Sequence, residues 1–398
     1  MGLRSEVRMA DKDGNVRPNR EVLISGFLAT SKQSLSSWEE SIKDPDLNQR
    51  RVLQSLLQEY VKTEYGEQHG ANRTHSLEDF RRNFPVTRYS SIRPLLEQVK
   101  EGNFHVFLSE KPLSWVLTRG TTGEPKVFPI TARHLREIFE CGSRAVLNYA
   151  LSSGGTFMLD GKVLNLNFPS NVRTLNQGDS RIAFGYSSGT YAKLNPMFRG
   201  LSLIPRQEDI DALGTDLTRE GWNKRYDFIY DKTRSQDVVC IIGVAPVQAS
   251  FGRYIKRRCG QYPKDLWKTR VIFSTSVPKI QTKYSHILKS LYGDAPVVEM
   301  YTATEGAFAQ QKDAFPYVVP NYDTYLFEVM TRKGVKMLHE MKRGEWGRLI
   351  VSTSIVPRYD IGDMVECMGK NYFRVFGRAK ARTILEHVLY RAFYRWFL

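Results

Sequence analysis

Cysteine is scarce: the 398 residues hold four, at 141, 240, 259 and 367, with no CxxC pair and none clustered with histidine. That excludes a structural zinc site of ordinary spacing and a disulfide framework, and it points to free thiols in a reducing compartment. No window reaches the roughly 18 uninterrupted apolar residues that a membrane-spanning helix needs. The opening stretch, MGLRSEVRMADKDGNVRPNR, contains no apolar signal core, which argues against secretion. Glu6 stands where a myristoylation site wants Ser or Thr. A cytoplasmic location with no membrane span is therefore expected. There is no internal repeat and no low-complexity segment.

What is present fits a soluble globular chain with a sizeable core and more than one subdomain, at 41% hydrophobic and 25% charged residues. Lys and Arg number 58 against 42 Asp and Glu, a net charge of +16. A surface this basic attracts nucleic acid, ATP or an acidic substrate. The basic residues are scattered, as in Lys256–Arg257–Arg258 and Arg378–Lys380–Arg382, with no long basic tail. No sequence-specific nucleic-acid partner is expected.

Residues 1–45 read as polar and turn-rich, with one apolar patch at Val22–Leu28. Leu53, Leu56, Leu57, Tyr60 and Val61 fall on one face of a helix. Ser76, with Asp79 three residues on, predicts a capped helix start. Pro85 breaks the chain before a further helix from about Ile92 to Lys100. Strands are then expected at Ser114–Thr118, Val127–Ile130, Val163–Phe168, Val238–Val244, Val271–Ser274 and Val297–Tyr301. Helices after Thr131, around Gln248–Arg258 and over Tyr284–Leu291 alternate with them. This alternation predicts a multilayered α/β fold with mostly parallel sheets. After residue 320 the pattern turns β-rich, with strands at Tyr325–Met330, Arg348–Ser352 and Tyr372–Phe376. The expected domains are 1–376, with a β-rich subdomain over about 320–376, and a hinge with a further segment over 377–398.

Three segments carry chemistry. Thr118-Arg119-Gly120-Thr121-Thr122-Gly123-Glu124-Pro125-Lys126 has two glycines that permit close backbone approach, successive N–H groups, hydroxyls and a lysine. That set can cradle a polyphosphate, although its spacing is not that of a P-loop. An ordinary polar hairpin is the plain alternative. Tyr301-Thr302-Ala303-Thr304-Glu305-Gly306 follows a strand, at the end where open α/β sheets bind ligands. There Glu305 is a hard oxygen ligand suited to Mg²⁺, and Thr304 offers a hydroxyl to a phosphate. Arg358-Tyr359-Asp360-Ile361-Gly362-Asp363 sets a carboxylate beside glycine. Asp363 is the candidate for ribose hydroxyls, with Asp360 as a turn residue. Gly377-Arg378 reads as a hinge after the last strand.

In this order, the three segments resemble the adenylate-forming superfamily. EYGEQHG, SLEDFRRNFPVTRYSSIRPLLEQVKEG, the TTG loop, RIAFGYSSGTYAK and YTATEG together are similar to the Gretchen Hagen (auxin-responsive) acyl acid-amido synthetase family, over roughly residues 40–380. The resemblance implies a large adenylation domain, ATP and Mg²⁺ as cofactors, and two half-reactions. In the first, a carboxylate attacks the α-phosphate of ATP and pyrophosphate leaves. In the second, an amine or thiol acceptor displaces AMP. It implies phosphate binding by Thr118, Gly120, Thr121, Thr122, Gly123 and Lys126, and Mg²⁺ and α-phosphate contact by Thr304 and Glu305. It also implies adenine and ribose contacts at Tyr301, Thr302, Ala303, Asp363 and Arg378, and an acid pocket near Val247, Phe251 and Phe308.

The chain departs from the family in three places. Arg119 replaces a small residue, and Ser274-Thr275-Ser276-Val277 replaces a Gly-rich turn near adenine. The sequence also ends about 20 residues after Arg378, where family members continue into a small C-terminal domain. The resemblance therefore implies that this domain is truncated here and the pocket open. Ile384–Leu398 has helical apolar spacing and is expected to dock as a helix. Two other functions stay open: an acyl-CoA ligase of the phenylacetate type, and an inactive homologue serving as a binding or regulatory module.

Overall fold

The computed structural model describes residues 9–10, 16–17, 20–118, 125–153, 157–177, 180–195 and 202–397. Where the sequence read as turn-rich, residues 20–43 form a helix, α1 (Arg20–Lys43). Leu35 and Trp38 anchor it against Leu147 and Val319, and the Trp38 indole donates to the Pro320 carbonyl at 2.9 Å. Among its described side chains these two anchors, three residues apart, are too sparse to show a helical period. Helix α2 (Pro45–Tyr60) opens with Pro45 at its first turn and an Asp44 carboxylate accepting from Leu47 N–H. It buries Val52, Leu53, Leu56, Leu57 and Tyr60. The helix stops at Tyr60, which leaves Val61, expected on that face, 44% exposed. Ser76 caps α3 (Leu77–Asn83) by accepting from Asp79 N–H. Helix α4 (Tyr89–Lys100) follows, starting three residues before the expected point.

The first hairpin pairs β1 (Ser114–Leu117) with β2 (Val127–Ile130). Thr131 accepts from His134 N–H and starts α5 (Ala132–Ser152). Then come β3 (Lys162–Asn165), β4 (Arg173–Gln177), β5 (Ser180–Tyr186), α6 (Ser187–Leu194), β6 (Ser202–Ile204), α7 (Arg219–Thr233) and β7 (Val238–Val244). The last βα alternation is α8 (Ala245–Cys259), β8 (Val271–Thr275), α9 (Ser285–Tyr292) and β9 (Val297–Ala303). An antiparallel series completes the chain: β10 (Gly306–Gln311), β11 (Val318–Pro320), β12 (Leu326–Thr331), β13 (Gly334–Met337), β14 (Trp346–Thr353), β15 (Val356–Gly369) and β16 (Tyr372–Arg378), before α10 (Ala381–Phe397).

Twelve strands form one mixed sheet in the order β13-β12-β14-β15-β16-β11-β10-β9-β8-β7-β3-β6. Pairing is parallel from β6 to β9 and antiparallel from β9 to β13. The β-rich stretch after residue 320 thus continues the parallel sheet instead of forming a sheet of its own. A second sheet, β2-β1-β5-β4, stands apart. Helices cover both faces of the parallel half. Ala145, Val146 and Ala150 of α5 pack on Val239, Phe273 and Met300, while Phe251, Ile255 and Leu288 pack on Ile241, Ile272 and Val297. A helix–sheet–helix stack of this kind buries central strands on both faces, which is why they read as continuous apolar runs.

Two expectations change. Asp360 is not a turn residue, because the Arg358–Asp363 segment lies in the middle of the long strand β15. Gly377 and Arg378 belong to β16 and do not follow it. Among the described side chains of helix α10, His387 makes the buried docking contact. His387 stacks on Phe376 at 3.9 Å and meets the Trp346 ring edge-on, while Leu385, Leu389 and Phe393 are exposed.

Candidate active site

A cavity of about 780 Å³ opens where the parallel strands β7, β8 and β9 end and the sheet turns antiparallel. Successive strands leave a crevice at their carboxyl ends, so this is where an α/β sheet places a ligand. Thr118, Lys126, Tyr301, Thr302, Ala303, Thr304, Glu305, Asp363 and Arg378 all line it. Residues 245 positions apart in sequence, Thr118 and Asp363, are therefore brought to one wall. Gly120, Thr121, Thr122 and Gly123 lie outside the described residues.

The base of the phosphate-type loop is a closed hairpin. Thr118 N–H donates to the Lys126 carbonyl, and Lys126 N–H donates to Thr118 Oγ1, both at 2.9 Å. This aims Lys126 across the cavity, where its Nζ donates to the Tyr359 hydroxyl at 2.9 Å and sits over the Tyr89 and Tyr359 rings. Burial pushes the Lys126 ammonium down, and Glu305 pulls it back up. Glu305 is 4% exposed. Burial pushes its carboxyl up, against the opposing pull of Lys126. Each thus carries a charge that only a partner inside the cavity makes favourable.

Asp363 sits where β15 bulges. On the β14 side the pairing jumps from Arg348–Met364 to Ile350–Asp360, so residues 361–363 have no partner there. Gly362 takes φ +82°, a conformation that favours glycine. The bulge re-aims Asp363 into the cavity. On the other side Asp363 pairs in register with Arg378, whose guanidinium donates to its Oδ1 at 2.9 Å. The Tyr301 hydroxyl donates to Oδ2 at 2.8 Å. Burial raises the carboxyl of Asp363, and Arg378 opposes the shift most strongly. Asp360 is no idle turn residue. It is 6% exposed, accepts from Gly362 N–H, and pairs with Arg88 and Arg348.

The Thr304–Glu305 turn is held from behind. The Tyr191 hydroxyl of α6 donates to the Thr304 carbonyl at 2.9 Å and lies 3.1 Å from His134 Nε2 on α5. Burial depresses His134 to about 4, so the ring is neutral and donates from Nε2. Thr302 shares a 2.5 Å hydroxyl contact with Thr275. The turn after β8 lacks glycine, yet Ser276 takes φ +73° at the cavity wall. A non-glycine residue in that region stores backbone strain, a feature that clusters at ligand sites.

The expected acid-pocket residues are misplaced. Val247 and Phe251 face the core between α8 and the sheet, Phe251 stacking on Trp267, and Phe308 packs among Tyr301, Tyr325 and Phe327. None lines the cavity. Its apolar wall comes instead from Ile138, Phe139, Gly142 and Val146 of α5, with Ala192, Met300 and Ala307. Sequence reasoning also missed Glu299. It lies on the face of β9 shared with Tyr301, lines the cavity, and makes no side-chain hydrogen bond or ion pair among the described residues. Desolvation pushes its carboxyl up to about 7. Only its place two residues before Tyr301 in a strand could have flagged it.

Among the described residues, no group of three or more His, Cys, Asp and Glu could hold a metal ion alone. A single inward carboxylate such as Glu305 fits Mg²⁺, which takes one or two carboxylates together with substrate phosphates and waters. No helix among the described residues is long and apolar enough to cross a membrane.

Residues 34–214 match the family described as GH3 family N-terminal domain. The chain is similar to an indole-3-acetic acid-amido synthetase, GH3.5, of Arabidopsis thaliana, 34% identical over 107 residues, which cover 26% of this chain and 18% of that protein. It is also similar to a jasmonoyl–L-amino acid synthetase, JAR4, of Nicotiana attenuata, 32% identical over 101 residues, covering 25% and 17%. The matched stretch thus spans under a fifth of these relatives' length. Among solved structures, the Arabidopsis GH3.15 acyl acid amido synthetase in complex with 2,4-DB superposes with a TM-score of 0.71 at 17% identity, covering 89% of this chain and 71% of that one. An open 2-hydroxyisobutyryl-CoA ligase in complex with 2-HIB-AMP and CoA gives 0.53 at 14% identity, covering 89% and 74%. The fold is that of these adenylate-forming enzymes.

Proposed function

We propose that this chain activates a carboxylic acid with ATP as an acyl-adenylate and serves an acyl acid-amido synthetase reaction. The observation that carries the reading is the convergence of Lys126, Glu305 and the Tyr301–Asp363–Arg378 group on one cavity with an apolar wall. The similarity to amido synthetases over residues 34–214 supports it.

In the first half-reaction a carboxylate oxygen bonds to the α-phosphorus of ATP. The bond from that phosphorus to the bridging oxygen breaks, and pyrophosphate leaves with the electron pair. In the second, an amine nitrogen bonds to the acyl carbon, AMP leaves with the carbon–oxygen electron pair, and the amine proton passes to solvent. The substrates supply nucleophile and leaving group, so the chain works by positioning and charge neutralisation. Lys126 and the hairpin it closes hold phosphate oxygens. Thr304 presents its hydroxyl to the α-phosphate, and Tyr191 and His134 fix its carbonyl. Glu305 would hold Mg²⁺, which supplies positive charge to the phosphates when bound.

Tyr301 offers a ring face to adenine, and Glu299, on the same side of β9, faces the purine edge. Asp363 keeps lone pairs for ribose hydroxyls although two donors already reach it, because a carboxylate has about four acceptor sites. The acid lies along the α5 wall. Residues 1–376 act as one adenylation unit.

The test is ATP–pyrophosphate exchange across a panel of carboxylic acids, followed by amine or coenzyme A addition. Acid-dependent exchange supports adenylation, and amine dependence then supports the amide ligase. Coenzyme A dependence instead assigns a thioester ligase. Absence of exchange with every acid, together with absence of ATP binding, overturns the enzyme reading in favour of a binding or regulatory module.

A further inference from the structure

A second, smaller cavity of about 270 Å³ adjoins the first and shares Tyr89, Lys126, Ile361, Arg378 and Lys380 with it. Its charge is one-sided. Among the described residues, Arg88, Lys126, Arg348, Arg378 and Lys380 line it, against a single carboxylate, Asp360. Arg378 is matched by Asp363, and Lys126 faces Glu305 across the larger cavity. Among the described lining residues, Arg88, Arg348 and Lys380 are left with Asp360 as their carboxylate.

The two guanidinium groups converge on the same oxygen. Arg88 Nε lies 3.1 Å from Asp360 Oδ2, which Arg348 also contacts, while Oδ1 accepts from Gly362 N–H. Burial and the neighbouring Arg88 push Arg348 down from its ordinary value. The Nε of Arg348 is buried and has no hydrogen-bond partner among the described residues. Like charges drawn into one recess cost free energy unless an anion joins them.

The local backbone adds to the field. Arg88 occupies the N-cap of the 12-residue helix α4 and makes no side-chain capping bond. An arginine can only donate, so it does not offset the positive end of the helix as Ser or Asp would. Arginine forks suit phosphate oxygens, which accept two parallel N–H bonds.

We propose that this cavity is a diphosphate subsite, in which Arg88, Arg348 and Lys380 hold the β- and γ-phosphates of ATP or the free pyrophosphate that leaves. The assignment rests on the adenylating reading for its physiological ligand. It does not need that reading for the binding itself. The pocket shares Lys126 with the larger cavity and includes none of the residues of its apolar α5 wall. A diphosphate held there would be drawn apart from the acyl group.

The test is calorimetric binding of inorganic pyrophosphate, AMP and ATP to the full chain, compared with Arg88→Gln and with the double variant Arg88→Gln, Arg348→Gln. Arg88 is largely exposed, so its single variant keeps the fold even if the double variant is strained. The expected result is a loss of pyrophosphate affinity of about tenfold or more in the double variant, a smaller loss in the single one, and AMP affinity within about twofold of the parent. If the preference for ATP over AMP falls with it, the pocket holds the nucleotide's own phosphates. If that preference survives, the pocket serves the released product. Equal pyrophosphate affinity in parent and variants overturns the subsite, and so does a parent chain that binds AMP but no pyrophosphate. A chain that binds pyrophosphate through these arginines, yet shows exchange with no acid, keeps the subsite and overturns the adenylating reading.

Discussion

The Tyr301 hydroxyl donates to Asp363 Oδ2 at 2.8 Å, joining two segments 62 positions apart. The aromatic platform and the carboxylate beside it are therefore one unit, and Arg378 fixes its third corner. Asp363→Ala leaves a buried phenol and a guanidinium without their acceptor. We expect a stability loss of about 1–3 kcal/mol, held down because the Arg378 side chain is 44% exposed. ATP affinity should fall as well. Denaturant unfolding and calorimetry check the two effects, and unchanged ATP binding would separate Asp363 from the nucleotide.

Lys126 donates its Nζ to the Tyr359 hydroxyl and feels the Glu305 carboxylate beyond it. Lys126→Ala should slow acid-dependent pyrophosphate exchange by about 10²–10³-fold, the size seen when one preorganised donor is removed. Its effect on thermal unfolding should be small, because the desolvation of its buried ammonium offsets what its hydrogen bond to Tyr359 returns. A rate within threefold of the parent would remove Lys126 from the phosphate site.

Glu299 predicts a pH signature. Its folded carboxyl holds a proton up to about 7, while the ordinary value is 4.5. Folding therefore takes up a proton between those values, and stability falls as pH rises through that window. The full cost, up to about 3 kcal/mol, is present only above it. Glu299→Gln should raise the unfolding midpoint at about pH 8 and leave it unchanged at about pH 4. A pH-independent difference would show that the carboxyl is not desolvated.

Tyr191→Phe removes the donor to the Thr304 carbonyl. Leaving that buried acceptor open costs about 1–3 kcal/mol. If Tyr191 also positions the Thr304–Glu305 turn, exchange should slow by about tenfold or more at saturating ATP. Lost stability with an unchanged rate would make Tyr191 structural only.

The strands, and the cavity-lining segment that follows one of them, were legible because their signals are local. Val238–Val244 is apolar throughout, and Tyr301–Gly306 follows a strand directly. The acid pocket was not, because the direction in which Val247 and Phe251 point depends on how α8 packs, and Phe308 follows a tight turn that reverses the strand. Asp360 looked like a turn residue because Gly362 beside it marks a bulge inside β15 and not an end to it. Arg88 and Asp360 are 272 positions apart, and no periodicity links them. Helix α1 was hidden because, among its described side chains, the apolar anchors Leu35 and Trp38 stand in a run of serines and charged residues.

The mixed sheet also sets when the cavity comes into being. Thr87 bridges to Tyr359, and Lys126 reaches Tyr359 across 233 positions, while Arg378 lies in the last strand. Contacts that close such long loops form late, since their entropy must be lost before they return any binding. On a ribosome adding about 5–20 residues per second, the parallel half can collapse many seconds before β15 and β16 emerge to complete the wall. During that interval Lys126 and Glu305 have no Tyr359 between them. Affinity for ATP would then report the arrival of the last strands, and a nascent chain stalled before residue 359 would have a sheet but no site.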